Sequence, residues 1–297
     1  MVRYVMKLKI TRRSTSFCYC FLLAVFLIAA MPISSRALQN AQIAIYDDSA
    51  FPDGGAWAEG LTAIRSMLNY YGYSYINLTP DELNQTENLY DFFQVIIFGG
   101  GWAGGYNTTV TEAGYNHIRT FVLSGGGYFG ICAGAYFASD IVSWKPNMIV
   151  PRQTYDYPLN LFTGAGIGPV LGIAAWTEPT GCTTGITSGA AMTVVAMDSS
   201  GFPDIQTELP VLYFGGPVLV PGDKTNPAVQ IIGRYQVPHK PANNTAAMIL
   251  FPYGAGKVFL SGTHPEISFN VNNCTLYYDI NTWEFMNRVI LQLLSSQ

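Results

Sequence analysis

The residues that could do chemistry fall at two places: Cys132, within Gly127-Tyr-Phe-Gly-Ile-Cys-Ala-Gly-Ala-Tyr-Phe137, and the pair His264 and Glu266, within Thr263-His-Pro-Glu266. A sulfur nucleophile needs a base to take its proton and a carboxylate to orient that base. The set therefore predicts attack by Cys132 on an acyl carbon. Gly130 and Gly134 flank the cysteine at two residues' distance, as a tight strand-to-helix turn requires. A helix starting there would turn free amides and a partial positive charge toward the sulfur, a setting that favours thiolates. His264 and Glu266 are separated only by Pro265, so in extended backbone their side chains share one side and the carboxylate can reach the imidazole. The competing assignment for Cys132 is a small buried hydrophobe. The flanking glycines favour the nucleophile, whereas His117 and His239 have no such company and read as structural.

Gly99-Gly100-Gly101 follows the apolar run Val95 to Phe98. Its amides, with that of Ala133, would form an oxyanion hole; the rival reading is an ordinary flexible turn. Tyr136 and the Gly215-Gly216 turn of Leu212-Tyr-Phe-Gly-Gly-Pro217 are candidate substrate contacts, the glycines permitting close approach of backbone to ligand. No Gly-Lys-Ser/Thr completes a phosphate loop, and no His/Cys cluster has structural-zinc spacing. Asp47-Asp48 and Asp81-Glu82 read as loop or helix-start residues rather than a glycosidase pair. No cofactor or metal is expected.

The elements that must position these residues alternate. Ala41 to Tyr46 reads as a buried strand, Trp57 to Tyr71 as a helix closed by Gly72, Tyr73 to Leu78 as a strand, and Thr79-Pro80 as a helix start. Val95 to Phe98 and Tyr128 to Ile131 are strands, with a helix from His117 to Leu123 between them. Such alternation predicts a parallel sheet covered on both faces, with sites at the carboxyl ends of its strands. The stretch from Val142 to Asp223 reads as mainly β and loop, with strands at Met192 to Met197 and Val211 to Phe214, inserted at one end of the sheet. Strands at Ala246 to Phe251 and Gly256 to Ser261 and a helix from Asn281 to Leu294 close the chain. No linker divides residues 38–297, which read as one domain.

Residues 1–37 have the layout of a secretory signal: Arg3, Lys7, Lys9, Arg12 and Arg13 precede an apolar stretch from Phe17 to Met31, with cleavage expected after Ala37. The alternative is an uncleaved signal anchor. Removal of the leader takes 6 of the 15 basic residues and none of the 19 acidic ones, leaving 9 − 19 = −10. That balance argues against nucleic acid and anionic membrane as partners, and no second apolar stretch is long enough to span a bilayer. Sequons at Asn77, Asn84, Asn107, Asn243 and Asn273 point to a glycosylated protein that is secreted or resides in the lumen of the secretory pathway. Of the five cysteines, Cys18 and Cys20 leave with the signal; the economical assignment of the rest is a Cys182–Cys274 disulfide with Cys132 free.

Gly130-Ile-Cys-Ala-Gly134 with His264-Pro-Glu266 resembles the class I glutamine amidotransferase fold. The longer string Gly130-Ile-Cys-Ala-Gly-Ala-Tyr-Phe-Ala-Ser139, with Leu212 to Pro217, is more similar still to the amidotransferase-like domain at the N-terminus of biotin-protein ligases and in free-standing relatives. The resemblance spans roughly Ala41 to Leu294. It implies an α/β, flavodoxin-like three-layer sandwich with a mainly parallel central sheet and a nucleophile elbow, a Cys132, His264, Glu266 triad, and Gly100 or Gly101 beside Ala133 in the oxyanion hole. Two departures bear on activity. Glutaminases of this fold commonly carry Gln four residues after the nucleophile, where this chain has Tyr136, and Phe98 replaces the Pro that usually opens the oxyanion segment. No biotin-transfer domain or ATP loop is found, so ligase activity is not expected. The function expected is that of a secreted thiol hydrolase acting on a small-molecule or peptide amide or related acyl bond. The alternative is a non-catalytic small-molecule-binding module on the same fold.

Overall fold

Along β1 (Ile43–Tyr46) every side chain is buried, so this strand has to lie between two covering layers. The computed structural model describes residues 38–198, 202, 206–222 and 228–295. The expected leader, residues 1–37 with Cys18 and Cys20, lies outside the described residues. After β1 come α1 (Ala58–Tyr71), β2 (Tyr75–Leu78), α2 (Pro80–Gln85), β3 (Val95–Phe98), α3 (Ala103–Thr109), α4 (Glu112–Leu123), β4 (Gly127–Ile131) and α5 (Ala133–Ala138). Leu61, Ile64, Met67 and Leu68 form the buried stripe of α1. Gly72, at φ 76°, ends that helix and returns its N–H to the carbonyls of Leu68 and Asn69. α2 starts on a capping box, in which Thr79 and Glu82 each satisfy the other's backbone N–H, with Pro80 in the first turn.

The middle of the chain supplies β5 (Ser139–Trp144), β6 (Gln153–Asp156), β7 (Phe162–Gly168), β8 (Ala190–Met197), β9 (Glu208–Phe214) and β10 (Val218–Pro221). The last part adds β11 (Gln230–Gln236), β12 (Ala246–Tyr253), β13 (Gly256–Ser261), the hairpin β14 (Ser268–Asn270) and β15 (Thr275–Tyr277), and α6 (Ile280–Leu294).

One large sheet runs in the order β2-β1-β3-β4-β13-β12-β11-β8-β9. The five strands from β2 to β13 are parallel neighbours; β12, β11, β8 and β9 continue the sheet by antiparallel pairing. The sheet is thus mixed, with its parallel part around the candidate residues, and the α/β sandwich stands. Alternation along the strands separates two layers. Ile43, Ile45, Val95, Ile97, Phe129 and Ile131 pack with α1 and α6, while Ala44, Tyr46, Ile96, Phe98 and Tyr128 pack with α2 to α5.

Three expectations need correction. The middle of the chain is divided rather than simply inserted: β8 and β9 extend the main sheet, and β10-β7-β5-β6 form a second, four-stranded sheet. α3 starts two residues after Gly101, where a glycine-rich sequence gave no helical signal, and β11 was not anticipated. The helix expected from His117 begins earlier, at Glu112, capped by the side chain of Thr111.

Cys182 and Cys274 are joined by a disulfide, Cα atoms 5.6 Å apart, and Cys132 is free and buried. Among the described residues, no helix is long and apolar enough to cross a membrane, and no group of three or more His, Cys, Asp or Glu could hold a metal ion.

Candidate active site

The sheet order brings the distant motifs together. β4 and β13 are parallel neighbours with Ile131 opposite Ser261, so the chain leaves both strands at the same edge. The Cys132 N–H donates to Ser261 O at 2.7 Å across that exit. Cys132 then turns sharply at φ 49°, ψ −98° and caps α5. For a residue with a Cβ this backbone costs about 1–3 kcal/mol, a strain typical of functional sites. Gly134 is the compensating residue: a Cβ there would stand 2.2 Å from Phe98 O, so only glycine lets α5 close on β3.

His264 follows β13 and is held by its N–H to Leu212 O at 2.8 Å. Its Nδ1 and Glu266 Oε1 are 2.8 Å apart, both side chains buried. Trp283 on α6 fixes the backbone of Glu266 by donating Nε1–H to its carbonyl at 2.8 Å. His264 Nε2 and Glu266 Oε2 have no well-aligned partner. At rest the Cys132 thiol donates to Phe214 O at 3.5 Å. Burial by itself lowers the imidazole pKa; the charges of Glu266 and Cys132, with hydrogen bonding to both, outweigh it and hold His264 well above its ordinary 6.5. Cys132 is therefore close to His264 although the sulfur's aligned hydrogen bond lies elsewhere, a looseness common in ligand-free sites.

Among the described residues, the backbone N–H groups of Gly100, Gly101 and Ala133 donate to no protein acceptor. Gly101 lines a cavity of about 370 Å³, together with Cys132, Tyr136, Gly215 and His264. Gly100 lies beneath the imidazole. Of the other expected contacts, Tyr136 donates its hydroxyl to Gly215 O at 3.0 Å. Burial first, then the nearby Tyr213 and Cys132 charges, push its phenol well above 10, so it stays neutral. Gly216 is outside the cavity wall, packed on the backbone of Gly262.

Two features were not read from the sequence. Asp48, at the end of β1, is buried and accepts from Gly55 N–H (2.9 Å), Ala56 N–H (2.8 Å) and the Thr109 hydroxyl (2.9 Å). That segment in turn brackets the glycine run: Trp57 N–H donates to Gly100 O at 2.9 Å and Trp102 N–H to Gly55 O at 2.7 Å. Asp48 thus positions the free amides from a distance. An acid at the end of a buried strand, followed by Gly54-Gly55, was the available signal. The second feature is the wall of the cavity, where Trp57, Trp102, Trp144, Trp176 and Phe214 converge from five separate segments. No spacing in the sequence links them.

Of the expected glycosylation sites, Asn243 and Asn273 are exposed, and Asn77 is exposed with its Oδ1 accepting from Arg65. Asn107 is partly buried and accepts from the Tyr115 hydroxyl. Asn84 is tied inward, Nδ2 donating to Thr109 O at 3.0 Å and Oδ1 accepting from Thr111 N–H at 3.0 Å.

The family model described as "Biotin-protein ligase, N terminal" matches residues 42–293. A biotin–protein ligase of Schizosaccharomyces pombe is 32% identical over 181 residues, which are 59% of this chain and 26% of the ligase. An uncharacterized protein of Chlamydia muridarum is 28% identical over 177 residues, 58% of this chain and 60% of that protein. The chain therefore spans about a quarter of the first relative and under two thirds of the second. Among solved structures, a putative ThuA-like protein from Bacteroides uniformis is 14% identical, covering 78% of this chain and 85% of its own, with a TM-score of 0.44. With the family model covering nearly all of the described chain, the protein belongs to the biotin-protein ligase N-terminal domain family.

Proposed function

We propose that the protein is a thiol hydrolase that cleaves an amide or related acyl bond through Cys132, His264 and Glu266. The observation that carries this reading is the buried His264–Glu266 pair, 2.8 Å apart, beside a cysteine held at φ 49° on the wall of a cavity. In the reaction, Cys132 Sγ attacks the acyl carbon beside a protonated His264, which holds the sulfur's proton on Nε2, the ring nitrogen not bonded to Glu266. The amides of Gly101 and Ala133 take the charge developing on the carbonyl oxygen. Collapse breaks the C–N bond, and the amine leaves with the proton from His264. Water then attacks the thioester with His264 as base, releasing the acid and restoring the thiol.

Iodoacetamide labelling of Cys132 against pH tests the nucleophile directly. The expected result is labelling of Cys132 at neutral pH faster than that of glutathione, its slowing in His264→Ala, and loss of all labelling at this site in Cys132→Ser. A rate equal to glutathione's and unchanged in His264→Ala would count against the reading.

The same reading puts the protein in the secretory pathway, supported by the basic and apolar N-terminal layout, the sequons and the Cys182–Cys274 disulfide. The ligase activity of the Schizosaccharomyces pombe relative is not proposed here, since the match is to about a quarter of that protein.

A binding module without turnover is the second reading, and one observation favours it. Cys132 is only 4% exposed and its thiol is engaged with Phe214 O. Small-molecule binding unchanged in Cys132→Ser, with no acyl-enzyme detected by mass spectrometry, would support it.

A further inference from the structure

The cavity beside Cys132 has an unusual wall. Eight of its fifteen lining residues are aromatic, and none is Lys, Arg, Asp or Glu. Five of the rings form a continuous chain from the mouth to the imidazole. Trp102 meets Trp144 edge-on at 6.0 Å, Trp144 meets Trp176 at 5.7 Å, Trp176 stacks on Phe214 at 5.2 Å, Phe214 meets Trp57 at 5.5 Å, and Trp57 meets His264 at 5.4 Å. Trp102 and Trp176 remain 53% and 37% exposed at the mouth. Exposed indoles grouped on one opening are a binding feature rather than a packing one.

Two of the wall's polar ends are already used. Tyr136 donates to Gly215 O, and the Tyr155 hydroxyl donates to Gln153 Oε1 at 2.6 Å. Apart from the reacting groups, the cavity wall carries no charged side chain to pair with a charged ligand group; its remaining polar side-chain atoms are neutral indole N–H and phenol groups. A carboxylate or ammonium brought into it would lose its hydration without gaining an opposite charge. The α-amino and α-carboxylate groups of a free amino acid such as glutamine meet that penalty twice. A flat, uncharged body meets none and gains ring-on-ring contact.

We propose that the acyl group delivered to Cys132 is uncharged and carries a flat apolar body seated against Trp144, Trp176 and Phe214; this substrate class rests on the thiol-hydrolase reading. A cavity of about 370 Å³ has room for one such ring system and its carbonyl. The other ligand that aromatic walls hold well is a quaternary ammonium, through cation–π attraction. It is the competitor that the test must separate.

Three chloroacetamides of equal linker length, ending in phenyl, carboxylate or trimethylammonium, are reacted with the full chain, and labelling of Cys132 is followed by peptide mass spectrometry. The thiolate forms the C–S bond as chloride leaves, and the thiol proton passes to His264 or solvent. Rates are divided by those of each reagent with glutathione. The phenyl reagent is expected to react at least about tenfold faster than either charged one, a preference that partial burial of a ring supplies. Trp176→Ala should remove most of that preference, the phenyl rate falling toward those of the charged reagents once each is divided by the variant's own rate with iodoacetamide, which has no tail. Trp102→Ala, at a more exposed position, serves if the first variant fails to fold. Binding of N-benzylacetamide to Cys132→Ala, read by quenching of tryptophan fluorescence, tests the cavity without the thiol. Equal rates or a preference for trimethylammonium, with no benzylacetamide binding, overturn the substrate class and leave the nucleophile standing. Benzylacetamide binding without labelling by any reagent upholds the aromatic subsite and overturns the hydrolase.

Discussion

The imidazole of His264 lies directly on Gly100: a Cβ at that glycine would stand 2.3 Å from Cε1 and 3.0 Å from Nδ1. The glycine run therefore seats the ring as well as presenting amides. Gly100→Ala should displace the imidazole, lowering Cys132 alkylation at neutral pH by at least about tenfold, with an overpacking cost of about 1–3 kcal/mol. Alkylation kinetics and urea denaturation on the same preparation check both. An unchanged alkylation rate in a folded variant would show that the ring position does not matter to the sulfur.

The titration of His264 carries a second prediction. Its folded pKa is raised above the ordinary 6.5, so the stabilisation it contributes is fully present below that value and is lost as pH rises through the folded pKa. Glu266→Gln removes the larger of the charges that raise it, and Cys132→Ala removes the other. Each variant should shift the His264 pKa downward in histidine NMR. The decline of the urea midpoint with rising pH should move to lower pH in parallel.

Asp48 acts through Gly55 and Ala56 rather than by touching the cavity. Asp48→Ala removes the acceptor of one buried and one partly buried backbone N–H group and should cost about 3 kcal/mol. Faster hydrogen exchange at the Trp57 and Trp102 amides, which bond to Gly100 O and Gly55 O, would report loosening of the glycine run. Exchange confined to Gly55 and Ala56 would mean that the carboxylate holds only its own loop.

The disulfide closes a span of 92 residues and ties Cys182, six residues after Trp176, to Cys274. Replacing both Cys182 and Cys274 by Ala should lower stability by about 2–5 kcal/mol. The melting temperature with and without reductant checks this, since the wild type in reductant should fall toward the variant and the variant should not respond.

Glycan mapping separates the sequons. Asn243 and Asn273 are exposed, and a glycan on Asn84 would have to break the hydrogen bond from Nδ2 to Thr109 O. Protein made in a eukaryotic secretory host should carry sugar at Asn243 and Asn273 and none at Asn84, as read by peptide mass spectrometry after glycosidase treatment.

How much of this was legible in the sequence depended on range. Cys132, with its glycines, and His264 with Glu266 are short local patterns, and strands such as Val95 to Phe98 announce themselves by continuous burial. Local patterns also mark α1, α2 and α6. By contrast α3 reads Ala-Gly-Gly-Tyr-Asn-Thr-Thr, poor in helix formers, and is held by packing of Ala103 and Tyr106. β7 carries three glycines within seven residues and becomes a strand only because β5 and β10 pair with it. The aromatic wall was invisible for the same reason: its rings meet only after two sheets and three loops have been placed. Asp48 looked like a turn residue because its partners, Gly55, Ala56 and Thr109, follow no local rule.

The pairing of β4 with β13 has a consequence for biosynthesis. The strand that leads into His264 is made more than a hundred residues after the one that leads into Cys132, and α6, whose Trp283 fastens Glu266, is made later still. A chain made only as far as α5 therefore holds Cys132 without His264 beside it. On the thiol-hydrolase reading, the sulfur would gain its base only after β13 and α6 have been made, long after the cysteine itself.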